Sequence, residues 1–205
     1  MLISIIGTGN MAKGIATRAL AGGHTVELHT RELEKGTALA GELGDNAKAV
    51  EQGSALGDIV VLAAPYDAVS DIASHYDNFA GRTVVDITNP VDFTTFQLIP
   101  AAGTSGAEEI AKLLPNAHIV KAFNTVFAGT LASGEVSSHP LDVFIAGDDA
   151  DAKASVSQLV TDGGMRPVDS GALQNARHLE GFQLIHMATQ EQLGGGWMSA
   201  IAIIK

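Results

Sequence analysis

The chain has 205 residues, 46% of them hydrophobic, with a formal net charge of −11 and no cysteine. That length suits one sizeable core or a core domain with a small appendage, and the acid excess argues against nucleic acid or an anionic membrane as partner. Disulfides, thiol redox chemistry and thiolate metal sites are excluded; with no apolar run near the roughly 20 residues that cross a bilayer and no secretory signal, a cytoplasmic location is expected.

The first predicted strand, 2–6, runs into Gly7-Thr8-Gly9-Asn10-Met11-Ala12, a Gly-x-Gly-x-x-Ala turn that opens a helix over 10–21. A strand, a glycine turn and a helix start in that order cradle a dinucleotide pyrophosphate. Gly7 permits the tight turn, Gly9 lets backbone approach the phosphates, and small Ala12 lets the helix pack closely. The phosphates then face free N–H groups at the positive end of the helix.

The second predicted strand, 25–29, ends in Thr30-Arg31, about 20 residues past the glycine turn. An NAD-binding chain carries Asp or Glu there for the ribose hydroxyls. A guanidinium fork and a hydroxyl suit the 2′-phosphate of NADP, which a carboxylate would repel. Lys35, four residues on along a helix over 32–43, falls on the same face. The alternative is that Arg31 and Lys35 pair with Glu32 and Glu34 on a solvated helix. Glu27 is read as a surface residue.

Strands at 48–50, 59–63, 83–87, 118–122, 142–146 and 166–169 follow, alternating with helices over 66–76, 105–114, 150–161 and 172–193. This alternation predicts an α/β fold: a Rossmann-type doubly wound parallel sheet. The strands at 59–63 and 83–87 are mainly apolar, the first throughout, as when helices cover both faces. The expected organisation is an NADP-binding domain over 1–147 and a small C-terminal cap over 148–205. Gly194-Gly195-Gly196 and the apolar stretch after Trp197 read as a returning strand, a dimer contact or a lid.

Ligands of such a sheet lie outside the carboxyl ends of its strands. Three loops emerge there: Ala63-Ala64-Pro65-Tyr66, Thr88-Asn89-Pro90 and Phe123-Asn124-Thr125-Val126. The nicotinamide ring is placed near Asn89, Asn124 and Thr125. His24, His75, His118 and His139 scatter and read as solvated or capping; His178 and His186 share a face of the last helix. No His spacing suits a metal, and Ser105 lacks the Gly-x-Ser-x-Gly elbow of a hydrolase. No acid–base residue is assigned, because hydride transfer between cofactors needs alignment above all.

Gly7-Thr8-Gly9-Asn10-Met11, Thr30-Arg31, Val85-Asp86-Ile87-Thr88-Asn89-Pro90, Lys121-Ala122-Phe123-Asn124-Thr125 and Ala146-Gly147-Asp148-Asp149 come in a known order and spacing. The chain resembles the NADP oxidoreductase, coenzyme F420-dependent, family over nearly its whole length, including Arg166-Pro167-Val168-Asp169-Ser170-Gly171. Relatives of that family include the cytosolic reductase domain of the mammalian membrane ferric reductases. The resemblance implies hydride exchange between NADP(H) and a deazaflavin (coenzyme F420) or, in some relatives, a flavin (FMN or FAD). It implies that Thr8, Gly9, Asn10 and Met11 hold the pyrophosphate, that Thr30, Arg31 and Lys35 take the 2′-phosphate, and that Val126 and Ala128 flank the nicotinamide. The chain departs from the deazaflavin users at Asn124-Thr125, where they carry His-Thr.

The expected partners are a small-molecule redox acceptor and a second copy of the chain, as a homodimer. The acceptor ring is expected between the Asn89 and Asn124 loops and the segment around Trp197. Two alternatives stand beside this: an NADP-dependent reductase of a small carbonyl or imine, which needs a proton donor in the cleft, and a non-catalytic NADP(H)-binding redox sensor.

Overall fold

Residues 1–194 and 196–204 are described by a computed structural model. The first half alternates as the apolar spacing predicts: β1 (Leu2–Ile6), α1 (Asn10–Ala21), β2 (Thr25–Thr30), α2 (Leu33–Leu43), β3 (Ala47–Glu51) and β4 (Ile59–Leu62). A 3₁₀ turn, Tyr66–Ala68, leads into α3 (Val69–Ser74), then β5 (Thr83–Asp86) and a hairpin of β6 (Val91–Asp92) and β7 (Gln97–Leu98). Next come α4 (Gly106–Leu113), β8 (His118–Lys121), α5 (Ala128–Leu131) and a second hairpin, β9 (Glu135–Val136) with β10 (His139–Pro140). The chain continues through β11 (Asp142–Gly147), α6 (Ala150–Asp162), β12 (Arg166–Asp169), a 3₁₀ turn at Leu173–Asn175, α7 (Ala176–Ala188) and α8 (Gln190–Leu193). The helices expected over 66–76 and 172–193 are thus each broken, the latter a second time at Thr189 between α7 and α8. Neither hairpin was foreseen, because two-residue strands carry no alternation to read.

Eight strands form one sheet in the order β12-β11-β8-β5-β4-β1-β2-β3. Six neighbouring pairs are parallel and β11 lies antiparallel to β8, so the sheet is mostly rather than wholly parallel. The reason is the connector. Residues 122–141 join β8 to β11, but the helix within them, α5, has four residues and rises only about 6 Å, too little to carry the chain back along the sheet as a crossover helix does. The chain stays at the carboxyl edge and β11 comes back down. From the 148–205 segment, β12 pairs with β11 in this same sheet, α6 packs on α1, and α7 packs on α4.

Alternate strand residues feed two apolar layers. Ile3, Ile5, Leu28, Val61, Val85 and Val120 face α1 and α6, while Ile6, Val60, Leu62, Val84 and Ile119 face α3 and α4. Gly14 lets α1 approach α5 closely: a Cβ there would lie 2.7 Å from Leu131 Cβ. Two expectations of exposure are corrected. His24 is buried beside the Met1 amino group and 3.1 Å from Asp162, because the turn before β2 tucks under α6. Glu27 is also buried, held by Lys48 at 2.8 Å across the β2–β3 pair. Among the described residues no helix is long and apolar enough to cross a membrane.

Ser105 caps α4: its hydroxyl accepts the Glu108 N–H and donates to the Glu108 carboxylate at 2.8 Å, a Ser-x-x-Glu pairing of the capping-box type. Ser105→Ala should therefore cost about 1 kcal/mol of stability in urea denaturation; an unchanged midpoint would show that the cap contributes nothing. Asp142 and Asp169 each tie part of the fold's stability to pH. Burial works against the Asp142 carboxylate, but hydrogen bonds from Arg166 and the Ile203 N–H hold its pKa below the ordinary 3.8. The Gly171 N–H and then Lys153 do the same for Asp169. A depressed carboxylate stabilises the fold fully above its ordinary pKa and loses that contribution as pH falls through the folded value. The melting temperature should fall below about pH 4, and Asp142→Asn should flatten that fall; an equally steep decline in the variant would rule the pair out as its cause.

Candidate cofactor site

The carboxyl ends of β1, β2, β4, β5 and β8 lie along one edge of the sheet. After β1 the chain turns at Gly7, whose φ of +129° is reserved in practice for glycine. A Cβ there would lie 2.2 Å from the Ala63 carbonyl oxygen, and its N–H donates to the His29 carbonyl oxygen at 3.0 Å. Gly7 is therefore glycine for the chain's own packing. Gly9 is different. It sits at the N-cap of α1 in ordinary extended backbone (φ −82°), and a Cβ there would meet nothing within 4 Å. Open space above Gly9, where glycine is not needed for folding, fits a ligand whose phosphates approach the backbone. No side chain caps α1 and no acidic residue lies in its first turn, so its first N–H groups face that space unpaired.

A cavity of about 310 Å³ runs from this turn to the end of β2. Of the residues predicted for cofactor binding, it is lined by Gly7, Thr8, Gly9, Thr30, Arg31, Lys35, Ala64 and Pro65. Thr30 ends β2 nearly buried, its hydroxyl accepting the Glu32 N–H at 3.0 Å. Arg31 and Lys35 are exposed at the mouth. Among the described residues neither makes an ion pair with Glu32 or Glu34, so the reading of a self-neutralised helix face is not what the geometry shows. Glu32 and Asp71 also reach the rim. His29 lies on the floor; burial lowers its pKa, and its Nε2 bonds to the Ser4 hydroxyl at 3.0 Å.

The remaining predicted residues lie elsewhere. Asn10 and Ala128 line a separate groove of about 280 Å³ between α1 and α5. Met11 packs against the core beside them, and Val126 and Pro90 are buried. Asn89 and Asn124 grip each other: Asn89 Nδ2 donates to the Asn124 carbonyl at 2.9 Å, and Asn124 Nδ2 to Asn89 Oδ1 at 3.0 Å. Phe123, just before, takes a left-handed φ of 60° while almost fully buried. In a non-glycine residue that is strain held by its surroundings. The Thr88 hydroxyl, the Thr125 hydroxyl and Asn124 Oδ1 are buried in these loops without a hydrogen-bond partner among the described residues, the condition of groups that await a ligand or water.

Beneath these loops lies a charge cluster that motif reading did not single out. Lys121, with no exposed surface, donates to Asp86 Oδ2 (2.8 Å), Glu180 Oε1 (2.8 Å) and the Thr88 carbonyl (2.6 Å). Glu180 in turn accepts the Gly106 and Ala107 N–H groups at the start of α4. Burial alone would favour the neutral amine; the carboxylates of Asp86 and Glu180 outweigh it and raise the Lys121 pKa. The signal was available, since a lysine and an aspartate each follow a pair of apolar residues at the ends of two neighbouring strands and face each other in register. Nearby, the Tyr66 hydroxyl donates to Glu109; burial first and that carboxylate second raise the phenol's pKa well above the ordinary value.

The C-terminal segment packs beside the Asn124 loop. Phe127 contacts the His186 ring (4.4 Å between centroids) and meets Trp197 edge-on at 5.1 Å. His186 Nε2 bonds to the Ser199 hydroxyl, which donates to Gln190 Oε1, both at 2.9 Å. His178, although on the same helix, is exposed: eight residues bring it to within about 80° of His186 rather than onto its line. A cavity of about 650 Å³ is lined here by Phe96, Met187, Gln190 and Trp197. Phe96 and Trp197 both hold left-handed backbone, at φ 55° and 63°. Gly195 lies outside the described residues.

This geometry agrees with what the chain is similar to. Residues 2–90 match the family described as NADP oxidoreductase, coenzyme F420-dependent. The F420-dependent NADP reductase of Methanothermobacter thermautotrophicus is 30% identical over 199 residues, covering 88% of this chain and 85% of that protein. Rat Metalloreductase STEAP3 is 30% identical over 182 residues, 89% of this chain but 36% of the relative, so the chain spans about a third of it. Among solved structures, one from Arthrobacter sp. FB24 superposes with a TM-score of 0.80 at 26% identity over 94% of both chains. A reductive aminase from Aspergillus terreus, in complex with NADPH, shares the fold at 20% identity (TM-score 0.68, 95% of this chain and 62% of that one). The chain belongs to the coenzyme F420-dependent NADP oxidoreductase family.

Proposed function

We propose that this protein transfers hydride between NADP(H) and a flavin-type or deazaflavin acceptor. The observation that carries the cofactor half is the end of β2, where Thr30 is followed by two cations, Arg31 and Lys35, that make no ion pair among the described residues and share one cavity with the glycine turn. In a chain of net charge −11, an anionic cofactor needs such local positive charge to bind at all. Gly7, Thr8 and Gly9 present backbone to the pyrophosphate, and Arg31 with Lys35 takes the 2′-phosphate. The cofactor, when bound, supplies the hydride from its nicotinamide ring. That ring lies against the Asn89 and Asn124 loops, where the buried oxygens of Asn124 and Thr125, without a partner among the described residues, offer hydrogen bonds to its carboxamide.

Three observations support the acceptor half. Relatives carry F420-dependent NADP reductase in their names. The cavity between Phe96 and Trp197 has aromatic walls suited to a planar ring and adjoins Phe127, three residues past Asn124. Reduction of a carbonyl or imine would need a proton donor, and the Tyr66 phenol, bonded to Glu109 with a raised pKa, is poorly suited to that task. An acceptor screen with NADPH across coenzyme F420, FMN, FAD, ferric chelates and quinones tests this half; turnover with a small imine and with none of these would overturn it.

NADPH should bind far more tightly than NADH by fluorescence titration, and Arg31→Glu should weaken NADPH by roughly tenfold or more while leaving NADH little changed. Equal affinity for the two cofactors would remove the 2′-phosphate site from the end of β2. Gly9→Ala should lose no more than about 1 kcal/mol of stability, the cost of alanine at an N-cap, since its methyl meets no atom of the described residues within 4 Å, yet lose about tenfold in NADPH affinity as that methyl enters the phosphate space. Unimpaired binding by this variant would place the phosphates elsewhere.

A further inference from the structure

Lys121 uses all three of its ammonium protons on three different parts of the fold: Asp86 at the end of β5, the Thr88 carbonyl beyond it, and Glu180 on α7. Asp86 Oδ1 also accepts the Thr88 N–H at 2.8 Å. Residue 88 is thus held at both its N–H and its carbonyl oxygen, immediately before Asn89. Lys121 itself stands three residues before Asn124, across the strained Phe123. Both members of the Asn89–Asn124 pair therefore hang from loops rooted in one buried ion cluster. Glu180 extends that cluster to α7 and, through the Gly106 and Ala107 N–H groups, to the start of α4. A packed apolar residue would fill the same space at lower desolvation cost, so the cluster's distinguishing property is geometric: ion–dipole contacts of fixed length in three directions.

We propose that Lys121 is the positioning residue of the nicotinamide site, setting the Asn89–Asn124 pair against the reactive ring through Thr88 and Asp86 and locking α7 to the same unit through Glu180. This rests on the reading that the ring lies against those two asparagines. The adenosine end, at β2, is anchored independently by Thr30, Arg31 and Lys35. Lys121 therefore governs one end of the cofactor and leaves the other alone, which a residue supporting the fold in general would not do.

The experiment compares Lys121→Met and Glu180→Gln with the wild-type full chain, using 2′,5′-ADP as a probe of the adenosine end and the emission of bound NADPH as a probe of the nicotinamide end. The wild-type chain is measured first; failure to bind 2′,5′-ADP would overturn the cofactor reading itself before any variant is compared. Both variants are expected to bind 2′,5′-ADP within about twofold of wild type, since the altered sites lie far from β2 and such effects are independent. Their enhancement of NADPH emission should fall by about half or more, and NADPH affinity by ~10-fold, because small displacements at a reacting ring have large effects. Should Lys121→Met fail to fold, Glu180→Gln, which keeps side-chain volume and the Lys121–Asp86 pair, decides the matter alone. Unchanged emission in a folded variant would overturn the proposal, and so would a parallel loss of 2′,5′-ADP and NADPH binding, which marks a residue that merely supports the fold.

Discussion

Where the first strand gives way to its turn, at Gly7, there is no room for a side chain. The Gly7 backbone lies so close to Ala63 that a single methyl group would overlap its carbonyl oxygen. This contact ties the glycine turn after β1 to the loop after β4, and the Gly7 N–H ties it to the end of β2 as well. Three strand ends are thereby brought to one point, and the cavity from Gly9 to Lys35 exists because they meet there. Parallel strands with helices on both faces leave their carboxyl edge as the place where loops can diverge around a ligand.

Charge is distributed against the average. The chain is strongly acidic, yet the mouth of the cavity carries two cations that make no ion pair among the described residues, and the first turn of α1 carries no acid. The buried cation obeys another logic. Lys121 is fully desolvated and tolerable only because two carboxylates and a carbonyl surround it, and the surplus negative charge of Glu180 is met by N–H groups at the start of α4. One set of charges waits for a ligand; the other is spent within the protein.

The first half of the chain was legible because its signals are local. Alternating apolar runs, a glycine turn and a cationic strand end lie within 35 residues of the N-terminus, and periodicity reads each without knowledge of the rest. The later elements were less legible for physical reasons. The break at Thr189 has no proline or glycine to announce it, and Pro65 and Gly171, just ahead of the two 3₁₀ turns, mark where a helix can start but not that its first turn is 3₁₀. His24 and Glu27 looked like surface groups because their burial comes from residues far away in the chain: Asp162 on α6 covers one and Lys48 on β3 pairs with the other.

The amino-acid order by itself determined the α/β class, the glycine turn and the phosphate-favouring end of β2, since each depends on residues that are neighbours along the chain. The antiparallel return of β11, the mutual grip of Asn89 and Asn124, and the joining of Lys121 to a glutamate 59 residues away were decided only by tertiary structure. Hydrogen bonds and ion pairs depend on distance in space, and where strands from distant segments come to lie side by side is a property of the assembled sheet.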